Sequence, residues 1–198
     1  LLEELGNDYI VDVNQYKIEE EDIIVETLLT TAVKKGFIEV AEILIQYGAD
    51  INVQLKDGNT PLHLAVMNNN EHMVAMLLQM GADHQILNNK KETPITMAIN
   101  LHLPKMVITL LENGAIYDFK QKDETGMIPF HRSALEGDLK LLETFLNIGI
   151  APSLKDQTGN TILHYAAMKE RKEVFELLAK RGELNQNIIN IENNEGNT

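Results

Sequence analysis

The sequence predicts an all-α solenoid, built of stacked helix-turn-helix units with projecting β-hairpin loops. The first observation behind this prediction is a recurring stretch, typified by TPLHLAV, whose copies begin at positions 27, 60, 93, 128 and 161. The second is a glycine that follows the start of each copy at a constant distance, as Gly48, Gly81, Gly114, Gly149 and Gly182. From each copy to the next, the recurring stretch and the glycine therefore move along the chain by the same number of residues. Two landmarks that keep the same phase indicate a repeat array.

Each repeat contains the signals for two short helices. In Thr60-Pro61 the threonine suits the N-cap of the first helix, and proline is tolerated at the first helical position because its missing N–H has no partner there anyway. The second helix carries apolar residues such as Leu77 and Leu78 at helical spacing, and Gly81 then ends it in a left-handed conformation. Helices of this length expose an apolar face that one repeat cannot cover, so neighbouring repeats must stack.

The organisation of the chain follows from this phase. Residues 27–195 form the repeat domain, and residues 196–198 begin a truncated further repeat. Residues 1–26 hold nine acidic residues against one lysine. Within them LLEELG at residues 1–6 is typical of a helix end, and Asp-Val-Asn at 12–14 matches Asp-Ile-Asn after Gly48. We therefore interpret residues 1–26 as an acidic N-terminal segment, namely the end of a preceding degenerate repeat plus an insertion.

These residues resemble the ankyrin repeat, whose pattern reads D-x-x-G-x-T-P-L-H-x-A-A, followed by a second helix that closes with L-L-x-x-G-A-D. The second copy matches this pattern almost throughout, from Asp57-Gly58 through TPLH at residues 60–63 to Gly81-Ala82-Asp83. The resemblance covers residues 27–182. Other copies depart from the pattern: Leu28 replaces proline, Thr30 replaces histidine, Lys91 replaces glycine and Ile128 replaces threonine.

Composition limits the classes of partner and the compartment. The chain of 198 residues is 44% hydrophobic, with a net charge of −13 and a pI near 4.8. It should therefore repel phosphate backbones and anionic membrane surfaces, so no nucleic acid partner is predicted. No apolar run approaches the roughly 18 residues of a transmembrane helix, so no membrane insertion is predicted. The absence of cysteine excludes a disulfide framework. No signal peptide is visible, and we expect a monomeric segment in the cytoplasm or elsewhere inside a cell, including a host-cell cytosol for a pathogen effector.

The sequence predicts no catalytic, metal or cofactor site. His63, His131 and His164 recur at one position of the repeat, but stacking would separate them by roughly 10 Å on helix-packing dimensions. Shared metal ligation needs bonds of about 2 Å. The resemblance implies instead that this histidine bridges backbone groups of adjacent loops. Neither serine, Ser133 or Ser153, lies in a nucleophile-elbow pattern, and no glycine-rich phosphate loop occurs. We therefore do not expect an enzyme.

The resemblance implies that the chain binds a protein or peptide through a concave face, formed by the hairpin tips and the inner faces of the first helices. The implied tip residues are Lys56, Asp57, Asn59, Asn89, Lys90, Glu92, Glu124, Thr125, Met127, Gln157, Thr158 and Asn160. The implied residues on the first helices are Lys34, Lys35, Met67, Asn68, Asn100, Leu101, Leu135, Glu136, Met168 and Lys169. The alternative is a regulatory or targeting ankyrin array within a larger multidomain protein, such as an enzyme, pathogen effector or channel.

Apolar residues and lysines on the first helices refine the expected binding face. Met67, Leu101, Leu135 and Met168 supply one apolar residue per repeat, and lysines at either end would favour an acidic or amphipathic peptide. Contact of these apolar side chains with neighbouring helices is the alternative.

Separately, LIQYGADIN at residues 44–52 resembles the pattern modified by the asparaginyl hydroxylase of animal cells, which would make Asn52 the hydroxylated residue. A structural role of this asparagine in the hairpin is the favoured interpretation.

Overall fold

The computed structural model describes residue 14 and residues 16–19, 23–122 and 126–198. The chain divides into two compact units, which are described separately. Unit 1 runs to Leu101 and also includes Lys105–Ile116. Unit 2 consists of His102–Pro104 and Tyr117–Thr198. Within the described residues there are eleven helices and one two-stranded antiparallel sheet, which confirms the predicted helical fold class.

The first strand and helix pairs follow the predicted phase. Strands β1 and β2 pair with each other, and the helices after them alternate between the first and second positions of a repeat. Their bounds are β1 Tyr16–Glu19, β2 Ile23–Thr27, α1 Leu28–Lys35, α2 Ile38–Gln46, α3 Pro61–Met67, α4 Glu71–Gln79, α5 Pro94–Asn100 and α6 Pro104–Glu112.

Unit 2 contains two further pairs and one additional helix. The bounds are α7 Pro129–Glu136, α8 Leu139–Asn147, α9 Ile162–Met168, α10 Lys172–Lys180 and α11 Gln186–Ile189. The sequence did not predict α11, which lies in the connector that follows α10. Its start is capped by Asn185, whose side-chain oxygen accepts hydrogen bonds from the backbone N–H groups of Asn187 and Ile188.

The core of each unit is formed by stacking of the helix pairs. In unit 1, α1 packs on α3 and α3 on α5, while α2 packs on α4. In unit 2, α7 packs on α9 and α8 on α10. Ala65 and Ala98 on the first helices, and Leu77 on a second helix, are completely buried. The apolar faces predicted from the sequence are therefore the faces that the stacking covers.

His63 connects two successive repeats of unit 1 through its two ring nitrogens. Nε2 lies 3.0 Å from the carbonyl oxygen of Glu92, and Nδ1 lies 2.8 Å from the hydroxyl of Thr60. Because a carbonyl can only accept, Nε2 carries the proton and Nδ1 accepts from Thr60. This arrangement requires the neutral imidazole. Burial lowers the pKa of His63, although the Glu92 carbonyl and the charges of Glu92 and Asp57 partly oppose the shift.

His131 in unit 2 shows what is lost when the capping threonine is missing. Its Nε2 lies 2.9 Å from the carbonyl oxygen of Leu154, but Ile128 replaces threonine at the helix start. Nδ1 of His131 therefore has no hydrogen-bond partner among the described residues, although the side chain is completely buried. His164 in the next repeat keeps both bonds, with Nδ1 2.9 Å from the Thr161 hydroxyl and Nε2 3.0 Å from the Asn197 carbonyl.

The hairpin turns require a left-handed residue, which is glycine in one repeat and lysine in the next. Gly58 has a φ of 76°, and an added Cβ would lie 2.6 Å from the backbone nitrogen of Asn89. Lys91 occupies the equivalent place in the following repeat and has a φ of 60°. A side chain in this conformation costs about 1–2 kcal/mol. Lys91 itself is exposed, so its side chain extends from the turn into solvent.

Replacing Leu77 with alanine should lower the free energy of unfolding by roughly 2–5 kcal/mol, because Leu77 is completely buried and the change leaves a cavity. Leu87→Ala is the matched control, since Leu87 is 51% exposed. Its loss should stay within about 0.5 kcal/mol. Urea unfolding measures both values. Equal losses for the two variants would show that the buried face of α4 is misassigned.

The chain should lose stability as the pH falls from about 7.5 to about 5.5, since the unfolded state takes up protons near the ordinary histidine pKa of 6.5 whereas folded His63 and His131 resist them. Their contribution is thus complete above pH 6.5 and is lost below it. His63→Gln should weaken this pH dependence, and His72→Gln, at an exposed position, controls for the substitution. Urea midpoints that do not change with pH would contradict the prediction.

Candidate functional site

In unit 1, many of the implied contact residues are exposed and some lie together. Lys34, Lys56 and Asp57, together with Leu55, line a shallow cavity of about 250 Å³. Lys34 Nζ also lies 3.4 Å from Glu26 Oε1, with both side chains 42% exposed. An ion pair this exposed contributes about 0–1 kcal/mol, so it holds Lys34 only weakly. The other exposed residues of the implied set in this unit are Lys35, Met67, Asn68, Asn89, Lys90 and Leu101.

Three residues implied as partner contacts are instead buried. Asn59 and Glu92 in unit 1 and Asn160 in unit 2 are only 6%, 8% and 8% exposed. Asn88 joins the first two, because its Nδ2 donates to Asn59 Oδ1 at 3.0 Å and to Glu92 Oε2 at 3.2 Å. In unit 2, Asn193 Nδ2 donates to Asn160 Oδ1 at 2.8 Å. These side chains connect successive hairpins, and so they position the exposed tip residues beside them.

Two further asparagines fix the ends of the first helices in unit 1. Asn68 Nδ2 donates to the Lys34 carbonyl at 3.1 Å, which ties the end of α3 to the end of α1. Asn100 Nδ2 donates to Glu92 Oε1 at 2.8 Å, which ties the end of α5 to a hairpin tip. Helix ends and hairpin tips in unit 1 are thus directly hydrogen-bonded to each other.

The expected apolar residues are largely exposed, but one is out of register. Met67, Leu101 and Met168 are 51%, 46% and 58% exposed, whereas Leu135 is half-buried. Met67 and Met168 are the last residues of α3 and α9, but Leu101 is the C-cap of α5, one position later. The position that matches Met67 is Asn100, so the four residues do not share one place per repeat. Leu101 corresponds to Asn68.

In unit 2, the remaining implied residues differ in exposure and in their polar contacts. Lys169 and Gln157 are exposed, and the Gln157 amide oxygen accepts a 2.6 Å hydrogen bond from Lys122 Nζ. Met127 is half-buried, while Glu136 is 46% exposed with a carboxylate oxygen 4.0 Å from His102 Nε2. Glu124 and Thr125 lie outside the described residues. Thr158 is exposed at its hairpin tip.

Unit 2 contains a larger cavity, of about 440 Å³, that was not predicted from the sequence. Three lysines line it, from the connectors before α7 and before α9, and the implied residues Met127, Gln157 and Thr158 line it as well. Lys120, Lys122 and Lys155 lie outside the tip positions transferred from the repeat pattern. The signal that could have found them is the pair of lysines around Gln121, in the connector between α6 and α7.

Exposed apolar residues are not restricted to the first helices. Phe37, Val40, Ile43 and Tyr47, on or at the ends of α2 in unit 1, are 56%, 47%, 43% and 53% exposed. Met73 holds the position of Val40 in the next repeat and is completely buried. The outer surface of α2 therefore competes with the helix ends as an apolar contact surface, and any test of a binding face must separate the two.

Asn52 has a structural role within the hairpins of unit 1. Its side-chain oxygen accepts a 2.8 Å hydrogen bond from the backbone N–H of Asp83, which belongs to the following repeat. Asn14 accepts a bond of the same length from the backbone N–H of Asp50. The two asparagines thus link successive hairpins in the same way. These bonds account for Asn52 without a modification, and its hydroxylation stays a prediction.

The described residues hold neither a metal-binding cluster nor a membrane-spanning helix. Within the described ranges, no three histidine, aspartate or glutamate side chains converge closely enough to hold a metal ion. In the same part of the chain, no helix combines the length and the apolar character that a membrane crossing requires.

Stacked helix pairs, hairpins joined by histidine and asparagine side chains, and a shared sequence period define a repeat protein of the ankyrin class. A model of the family described as ankyrin repeats (3 copies) matches residues 9–88, 29–123 and 115–190. Because these overlapping matches span most of the chain, the protein belongs to the ankyrin-repeat family. Members of this family generally act as protein-interaction modules and are typically non-catalytic.

A curated relative shows a similar stretch of sequence. The fibronectin type 3 and ankyrin repeat domains 1 protein of Mus musculus is 46% identical to this chain over 43 residues. The matched stretch is 22% of this chain and 12% of the mouse protein. The similarity therefore concerns a small part of that relative's length.

Asn59→Ala should lower the free energy of unfolding by about 1–3 kcal/mol, because it removes an acceptor from the buried Asn88 amide. Asn89→Ala is the matched control: Asn89 lies next to Asn88 in the same hairpin, and its side chain donates to the Lys56 carbonyl at 2.9 Å, but this bond is exposed to water. Urea unfolding should show the smaller loss for Asn89→Ala. An equal or smaller loss for Asn59→Ala would mean that the buried asparagine pair does not stabilise the hairpin tips.

Proposed function

We propose that this chain binds a polypeptide partner through its hairpin tips and the C-terminal ends of its first helices. The single observation that carries the proposal is the contact between the exposed Met67 and a hairpin tip, with Met67 Sδ 3.6 Å from Asn59 Nδ2. Asn59 Nδ2 also donates to Asp57 Oδ2 at 2.7 Å. The adaptable apolar side chain of Met67 and the charged side chain of Asp57 therefore contact the same amide group. An apolar anchor beside polar groups is the usual composition of a protein interface.

Membership in the ankyrin-repeat family supports the same conclusion, since such repeats generally serve as protein-interaction modules. In each unit, the interaction is carried by the exposed residues at the hairpin tips and helix ends. These are Lys34, Lys35, Lys56, Asp57, Met67, Asn68, Asn89, Lys90 and Leu101 in unit 1, and Glu136, Gln157, Met168 and Lys169 in unit 2. Asn59, Glu92 and Asn160 act indirectly by holding the hairpins, as does Asn100 through its bond to Glu92. The half-buried Met127 and Leu135 keep part of their side chains accessible and belong to the contact residues.

A second role is that of a regulatory or targeting segment in a larger polypeptide. The observation that favours it is the mouse relative, whose name combines ankyrin repeats with fibronectin type 3 domains. The size of the endogenous protein, measured by immunoblotting with an antibody against this chain, tests this role. A product with no more mass than the 22.3 kDa of this chain would exclude it.

Leu101→Asp should weaken binding to a selected peptide by more than about 2 kcal/mol, as is usual for an apolar hot-spot residue. Peptides are first selected from a displayed random library on the parent chain, and their affinities are then measured by calorimetry. Tyr47→Asp is the matched control, because Tyr47 is also an exposed C-cap residue of unit 1 but belongs to a second helix. Circular dichroism verifies that both variants fold.

Lys35→Glu should act differently, mainly by slowing association, and this effect should depend strongly on salt because added salt screens the charge at this position. If Tyr47→Asp abolishes binding while Leu101→Asp and Lys35→Glu bind normally, the binding face is the outer surface of α2. Failure of the parent chain to select any peptide would argue against polypeptide binding itself.

A further inference from the structure

The 440 Å³ cavity of unit 2 concentrates positive charge on a protein with a net charge of −13. Lys120, Lys122 and Lys155 line it, and all three are exposed. Lys122 Nζ donates to the side-chain oxygen of Gln157 at 2.6 Å, and Lys155 Nζ donates to the main-chain oxygen of Glu192 at 2.9 Å. Both acceptors are neutral. Within the described ranges, none of the three ammonium groups forms a direct ion pair with a carboxylate.

Asp156 also lines the cavity, but its carboxylate is engaged by its own hairpin. Its Oδ1 accepts from the backbone N–H and the hydroxyl of Thr158 and from the backbone N–H of Asn160, at 2.8, 2.7 and 2.9 Å. Its Oδ2 accepts from the hydroxyl of Tyr165. Burial alone would raise the pKa of Asp156, but these hydrogen bonds outweigh it and lower the pKa. Four donors therefore hold this carboxylate in its ionised form. The described lining thus carries three ammonium groups against one carboxylate, which leaves an excess of positive charge for a ligand.

The remaining lining residues set the shape and polarity of the cavity. Met127 and the buried Ile128 provide apolar surface, and the volume lies near the lower end of the roughly 300–1,000 Å³ typical of ligand pockets. That space suits one or two side chains of an extended peptide. The cations are lysines, which act as point charges and lack the planar fork by which arginine selects phosphate.

We propose that this cavity is the subsite for an aspartate or glutamate side chain of a bound polypeptide, with an apolar residue next to it in the peptide contacting Met127 and Ile128. The proposal rests on the proposed function, since it names the chemistry of the partner at one place on the binding face. Three flexible cations around an apolar wall attract an anionic group and bury its apolar neighbour.

Selection of displayed random peptides on the full 198-residue chain tests the subsite. One arm uses the parent chain, and a second uses the triple variant Lys120→Gln/Lys122→Gln/Lys155→Gln. The control arm uses Lys140→Gln/Lys172→Gln/Lys180→Gln, which removes the same charge from exposed positions on α8 and α10 of the same unit. Circular dichroism establishes that all three forms fold.

Peptides selected by the parent chain and by the control variant should be enriched in an acidic residue adjacent to a large apolar one. The triple variant should lose this enrichment, and its affinity for a selected acidic peptide should fall about tenfold, as expected when three exposed ion pairs are removed. Replacing the acidic residue of that peptide with its amide should weaken binding to the parent chain and leave binding to the triple variant unchanged.

The other outcomes distinguish failure of the acidic subsite from failure of polypeptide binding as a whole. If the parent chain selects peptides without acidic enrichment, the subsite is overturned while polypeptide binding stands. Equal losses in the two triple variants would show that overall charge, not the cavity, attracts the peptide. If a phosphoserine peptide binds the parent chain more tightly than its glutamate counterpart, the assignment to a carboxylate is overturned. If no peptide is selected by any form, polypeptide binding itself fails.

Discussion

Neither helix of a repeat can bury its own apolar face, and the whole architecture depends on this constraint. The first helices have seven or eight residues and the second helices nine. Isolated helices shorter than about 12–15 residues are marginal in water. The helices are therefore stabilised by stacking, through completely buried side chains such as Leu77. Stacking in turn places successive hairpins close enough for His63 to contact the carbonyl of the following repeat.

The fold could be predicted from the sequence because its determinants are local and repeated. A threonine cap, a proline at the first helical position and a closing glycine each specify a helix end within a few residues, and the period supplies the stacking partner. Helix α11 was missed because its apolar residues, Ile188 and Ile189, are set among asparagines and outside the phase of the repeat. A single capping residue, Asn185, begins this helix.

The candidate site was less predictable, because exposure depends on contacts across repeats. Asn59 and Asn89 look alike as polar residues of hairpin tips, yet Asn59 is buried because Asn88 of the following hairpin reaches it. Lys155 of the unit 2 cavity lies a full repeat beyond Lys120 and Lys122, and they become neighbours only when two connectors pack side by side. The register of Leu101 was also misjudged, since an apolar residue one position from the expected place was counted as equivalent.

At the hairpin turn of Lys91, a side chain in the left-handed conformation lowers stability but adds a positive charge to the surface. Glycine would adopt the left-handed backbone there without strain, but it would leave the tip without a side chain. With lysine at this place the turn gives up about 1–2 kcal/mol of stability and gains a second exposed cation beside Lys90. Because repeats contribute additively through nearest neighbours, such a loss stays confined to one turn. Individual repeats of one array can thus diverge in their surface while the shared fold persists.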